Sequence, residues 1–70
     1  MLSAGDVEQI LESAGSVKLS GFSVETLMHL AYVARKSGVR LDIDARGLSP
    51  DCLYKIAEAG RGHVYFDLTV

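Results

Sequence analysis

Residues 39–57, VRLDIDARGLSPDCLYKIA, change the spacing of their apolar side chains halfway along. From Val39 to Ile43 apolar and polar residues alternate, which is the period of a strand with one buried face. Leu53 and Ile56 are three residues apart, as on one face of a helix. The stretch therefore predicts a strand followed by a helix.

The same change of period occurs three times along the chain. In each unit an apolar residue and a serine precede a helical spacing, and a glycine precedes an alternating strand. The middle helix, predicted over Val24 to Lys36, is apolar over a wide arc, as a helix flanked on both sides requires. The strands alternate strictly instead of being continuously apolar, which predicts that one face of the sheet is open. The predicted repeats are approximately residues 2–21, 22–47 and 48–70.

This pattern predicts a single α/β domain of three tandem helix–strand repeats. Its parallel three-stranded sheet has the order 1-2-3, with the helices on one face. Ser3, Ser23 and Ser49 are the predicted N-caps, because a serine hydroxyl can accept a free backbone N–H at a helix start. Gly38 and Gly60 are predicted to end helices two and three in the left-handed conformation. Arg35, Lys36 and Lys55 are predicted near the negative ends of the helix dipoles.

Length and composition limit the classes of function. Seventy residues form one domain with room for one core, and the lone cysteine, Cys52, excludes an internal disulfide. A net charge of −2 gives no basic excess to attract a phosphate backbone, so direct nucleic-acid binding is not expected. No apolar run approaches the roughly 20 residues of a bilayer span, and the first residues lack the pattern of a secretory signal. We therefore expect a cytoplasmic protein that does not insert into a membrane.

The second strand and third helix also carry a motif. Leu41-x-Ile43-x-x-Arg46-x-Leu48-Ser49-Pro50-Asp51-x-Leu53-x-x-Ile56-Ala57 resembles leucine-rich repeats of the ribonuclease-inhibitor type. Val17-x-x-Ser20-x-Phe22 repeats the motif more weakly. Such repeats pair a strand with a helix, and their proteins bind other proteins on the concave sheet face. The resemblance implies that use here, with a stack of about the minimum size.

The open face of the predicted sheet collects charged and aromatic side chains that no helix end explains. We predict a partner-binding site from them, formed by Lys18, Arg40, Asp42, Asp44, Tyr65 and Asp67. If the valines that begin strands two and three align, Asp42 lies beside Asp67, and their carboxylates repel across strands about 4.8 Å apart.

Three interpretations of this face remain open. It is either an acidic patch that receives Lys or Arg from a protein with a basic surface, or a solvated face neutralised by Arg40 and Arg46. A divalent metal ion held by Asp42, Asp44 and Asp67 is the third. We expect no metal there, because a flat sheet presents too few of the oxygen ligands that hard cations need.

No constellation of residues predicts catalysis or a cofactor. Cys52 lies in the first turn of the third helix, but the sequence places neither His29 nor His63 beside it. Gly60-Arg61-Gly62 follows a helix and precedes a strand, the reverse of a phosphate-binding loop. We expect a protein that is not an enzyme and that binds no cofactor.

Two functions are compatible with these residues. The first is non-catalytic protein binding, in which the chain is a small acidic inhibitor of a host or partner complex. In size and charge it is similar to inhibitors from phages and mobile elements, such as anti-CRISPR proteins. The second is assembly as a homodimer, because strand three, predicted over residues 63–70, is an edge strand without proline. Salt should weaken the first kind of binding more than the second.

Overall fold

Helices and strands alternate along the chain, as the repeats predict. The computed structural model describes residues 3–13, 15 and 17–68. Residues 69 and 70 of the predicted third strand, and Leu2 at the start of the first predicted repeat, lie outside the described residues. The elements are α1 (Ala4–Glu12), β1 (Val17–Leu19), α2 (Val24–Ser37), β2 (Leu41–Asp44), α3 (Pro50–Gly60) and β3 (Val64–Asp67).

The three strands form one parallel sheet in the order β1-β2-β3. This confirms the predicted α/β class and places the middle repeat of the sequence in the middle of the structure. The helices follow the same order, since α2 packs against both α1 and α3.

The register of the sheet differs from the predicted one. Asp42 lies beside Tyr65, and Asp67 lies beside Asp44 instead of Asp42. The predicted alignment placed Val39 against Val64, but the backbone N–H of Val39 donates to Ala34 O at 3.0 Å. Val39 is therefore still held by the end of α2, and pairing with β3 begins two residues later.

The predicted N-caps are confirmed at all three helices. Ser3 Oγ accepts the backbone N–H of Asp6 at 3.2 Å, and Ser23 and Ser49 cap α2 and α3 in the same way. At the other end of α2, Gly38 is left-handed with φ 71° and its N–H donates to helix carbonyls, as predicted. These local signals fix where each helix begins.

The end of α3 differs from the prediction. Gly60 is the last residue of the helix, and the left-handed residue is Arg61, with φ 44°. Gly60 is buried, and a Cβ there would overlap the Val64 side chain and lie 3.4 Å from Ala31 Cβ. Close packing thus requires glycine at this position. Lys55 lies mid-helix, and the last turn of α3 contains no basic residue, contrary to expectation.

The core lies between the helix layer and the inner face of the sheet. The middle helix contributes more buried residues than any other described element, as its wide apolar arc predicts, and Leu41 and Ile43 of β2 are 0% exposed. The buried residues of α2 are Leu27, Leu30, Ala31, Val33 and Ala34. Among the described residues no helix is long and apolar enough to cross a bilayer.

Candidate functional site

The face of the sheet opposite the helices carries a cluster of charged and aromatic side chains. We call this set, all six predicted site residues together with Arg46, the sheet-face cluster. Strand alternation places them there, because residues at Leu41 and Ile43 of β2 point into the core and their neighbours point away. Its members are Lys18, Arg40, Asp42, Asp44, Arg46, Tyr65 and Asp67.

Each carboxylate of the cluster has a cation beside it. Arg40 Nε donates to Asp42 Oδ1 at 2.6 Å. Lys18 of β1 reaches across β2 and donates to Asp67 of β3. With the third pair, between Asp44 and Arg46, the cluster has three positive and three negative side chains. The three carboxylates are thus matched by three cations, of which Lys18 is additional to the Arg40 and Arg46 expected from the sequence.

Asp44 forms the most extensive contact of the cluster. Arg46 Nη2 donates to Asp44 Oδ2 at 2.7 Å, and Arg46 Nε lies 3.0 Å from Oδ1. The backbone N–H of Arg46 also donates to Oδ1, at 3.1 Å. The hydrogen bonds from the Arg46 side chain, followed by the one from its backbone, hold the pKa of Asp44 below its usual range.

This depressed pKa predicts how Asp44 titrates. The carboxyl resonance of Asp44, followed by NMR, should have a midpoint below the ordinary aspartate value of about 3.9. Because the folded pKa lies below the unfolded one, the ion pair stabilises the protein above the unfolded pKa. That contribution is lost as the pH falls through the folded pKa.

Arg46→Gln should raise the midpoint of Asp44 toward the unfolded value, because it removes the largest cause of the shift. Lys36→Gln, which removes a cation from the helix layer, is the control and should leave it unchanged. An Asp44 midpoint that is the same with and without the Arg46 guanidinium would contradict the assignment.

Tyr65 is the aromatic member of the cluster. Its side chain is 48% exposed, and the guanidinium of Arg40 lies over the ring, 4.1 Å from the centroid. Arg40 therefore contacts both the ring and Asp42, and holds them together. The depression around this contact measures about 250 Å³, below the range of about 300–1,000 Å³ typical of small-molecule pockets.

Cys52 and His29 lie outside the sheet-face cluster and do not contact each other. Cys52 is half-buried, and its sulfur accepts a hydrogen bond from Ser49 Oγ at 3.2 Å. His29 is exposed on α2 and lies 3.4 Å from Glu8 of α1. Within residues 3–13, 15 and 17–68, no three His, Cys, Asp or Glu side chains are grouped so that they could hold a metal ion.

Sequence reasoning missed the pairing of Lys18 with Asp67, although it placed both residues on the correct face. Lysine carries a long side chain, which can reach past a neighbouring strand, and Lys18 is the only charged residue of β1. Comparison with protein-family models, curated proteins and solved structures finds no match to this chain.

Proposed function

We propose that this protein is a non-catalytic protein-binding module, and that the sheet-face cluster is its binding surface. The observation that carries the proposal is the Arg40–Tyr65 stack on a sheet face that no helix within the described part of the chain covers. Tyrosine and arginine are enriched among the residues that dominate binding energy at protein interfaces. A ring and a guanidinium already held in contact lose less side-chain entropy on binding.

The proposed partner is a protein with a basic surface, and the proposed location of the complex is the cytoplasm. Exposed ion pairs contribute only about 0–1 kcal/mol each, so a Lys or Arg side chain of a partner can replace Lys18 at Asp67 while Arg40 stays stacked on Tyr65. The net charge of −2 favours such a partner over nucleic acid. By this mode the protein acts as an inhibitor that occupies a basic surface of a larger complex. The use of an open sheet face by leucine-rich repeats supports the same proposal.

A pair of matched tyrosines provides the test. Tyr65 on the sheet face is 48% exposed and lies under Arg40; Tyr32 on the helix layer is 46% exposed and lies near Lys36. The tagged protein is used to capture partners from a lysate of its native host. We expect Tyr65→Ala to reduce capture at least about tenfold, as loss of a central interface aromatic does, and Tyr32→Ala to have no effect.

A second pair of variants tests whether the acidic residues of the cluster contribute to binding. Asp42→Lys reverses an acidic residue in the sheet-face cluster, and Glu58→Lys reverses an exposed one on α3. Capture should fall with Asp42→Lys, stay with Glu58→Lys, and weaken as salt rises. Equal capture by all four variants would show that the sheet-face cluster is not the binding surface.

A further inference from the structure

The end of the stack formed by α3 and β3 is less covered than the middle. Leu41 and Ile43 of β2 are 0% exposed, whereas the inward residues of β3, Val64 and Phe66, are only half-buried. Leu68, the next residue on the same side of the strand, is 68% exposed. The core therefore continues to this end of the molecule without a covering layer in the described residues.

The backbone of β3 also presents groups for pairing at its outer edge. Leu41 N–H donates to His63 O and Ala45 N–H to Asp67 O, so the odd-numbered residues of β3 direct their peptide groups toward β2. The peptide groups of Val64, Phe66 and Leu68 alternate with these and point to the free edge. Neither proline nor lysine interrupts this edge.

We propose that a second copy of the chain pairs with this edge, β3 antiparallel to β3 about a two-fold axis at Phe66. In this register Phe66 lies opposite its equivalent in the partner copy, and Val64 lies opposite Leu68. Both are hydrogen-bonded pairs, as the outward direction of their peptide groups requires. The exposed Leu68 becomes covered, and the two sheets join into one of six strands.

The outward side chains select this register over its neighbours. It places Tyr65 opposite Asp67 of the second copy, so a carboxylate approaches the Arg40 guanidinium that lies on the Tyr65 ring. A shift of two residues in one direction places Asp67 opposite Asp67, which is repulsive, and a shift in the other direction leaves Leu68 without an apolar partner. Of these three registers, the one about Phe66 both gives Leu68 an apolar partner and keeps the two Asp67 carboxylates apart.

Head-to-tail stacking of β3 on β1 of the next copy is less favourable. At the β1 end the helix α1 presents the polar residues Asp6, Gln9 and Ser13, which are exposed. A polar outer face is typical of the capped end of a repeat stack. The α3 end instead presents the exposed Ala57, with Tyr54, Glu58 and Arg61 around it, and the half-buried Leu53 one turn earlier. Two α3 ends therefore match each other better than an α3 end matches an α1 end.

The size of the molecule limits the strength of this dimer. With extents of 29 × 26 × 20 Å, one end offers at most roughly 500 Å² per copy, less than the roughly 800 Å² of a standard stable interface. We therefore expect a dissociation constant for the dimer of about 10 µM to about 1 mM.

Sedimentation equilibrium over that concentration range tests the proposal. We expect a monomer–dimer equilibrium that does not proceed to larger species. Leu68→Lys should weaken dimerisation at least about tenfold, because it places a charge against Val64 of the second copy. Tyr32→Lys, a matched change at an exposed residue of the helix layer, should leave dimerisation unchanged. Because Leu68 is 68% exposed, its substitution leaves the fold intact.

Amide hydrogen exchange measured by NMR tests the register. The N–H groups of Phe66 and Leu68 should exchange more slowly at high protein concentration, while those of Tyr65 and Asp67, which face β2, should not change. A protein that stays monomeric, forms species that keep growing with concentration, or dimerises equally well with Leu68→Lys would overturn the proposal. These measurements need no partner, so their failure is distinct from loss of capture through the sheet-face cluster.

Discussion

Leu30→Ala is expected to lower the free energy of unfolding by about 2–5 kcal/mol. Leu30 is 0% exposed at the centre of α2, and α2 packs against α1 on one side and α3 on the other. The cavity left by the missing side chain is not expected to collapse, because α1 and α3 on either side are held by their own contacts. A domain of this length has a total stability of roughly 4–10 kcal/mol. The substitution should therefore remove a large part of that stability.

Urea unfolding followed by circular dichroism measures this effect. Leu68→Ala is the matched control, since it removes the same atoms from a residue that is 68% exposed. It should change stability by less than about 0.5 kcal/mol at low protein concentration. A similar small effect at both leucines would mean that α2 is not the centre of the core.

Gly60→Ala is expected to destabilise the protein by about 1–3 kcal/mol, the usual cost of overpacking. Alanine is ordinarily the better helix former, so a loss of stability here would reverse the usual preference. The reason is the close approach of β3, because a Cβ at this position lies within 3.3 Å of Val64 Cβ and overlaps the Val64 side chain beyond it.

Two further variants identify the cause. Gly5→Ala lies in α1, where the new Cβ would be 3.8 Å from its nearest neighbour, and it should stabilise the protein by about 0.4–1 kcal/mol. Combining Gly60→Ala with Val64→Ala should cost less than the sum of the two single changes, because the smaller residue 64 makes room for the methyl group. Strict additivity would show that Val64 is not the obstacle.

The helix starts and the faces of the strand residues could be predicted because their causes are local. A serine at a helix start, such as Ser23, finds its partner three residues away wherever the helix lies. Strict alternation along residues 41–44 likewise determines which side chains point away from the core. The faces of Asp42 and Tyr65 were therefore predictable from the sequence.

The register and the ion pairs could not be predicted because their causes are not local. The register depends on where two separate strands leave their helix ends: Val39 remains bonded to Ala34 O beyond the left-handed Gly38, and β3 begins after the turn that follows Gly60. Glycine is needed at position 60 because β3 packs closely against it, and the left-handed residue is Arg61 instead of the predicted Gly60. The partner of Lys18 depends on how far apart two strands lie, which the sequence does not state.

The bond between Lys18 and Asp67 joins residues that are 49 positions apart, the first strand to the last. A tandem stack is otherwise a linear chain of neighbours, in which each terminal unit can fray without involving the other. Here fraying of either end breaks the same ion pair. Whichever terminal unit unfolds first breaks this ion pair. The free energy needed to unfold the other terminal unit is then lower. This weak bond adds cooperativity between the ends of the molecule, and it can form only after all three units have assembled.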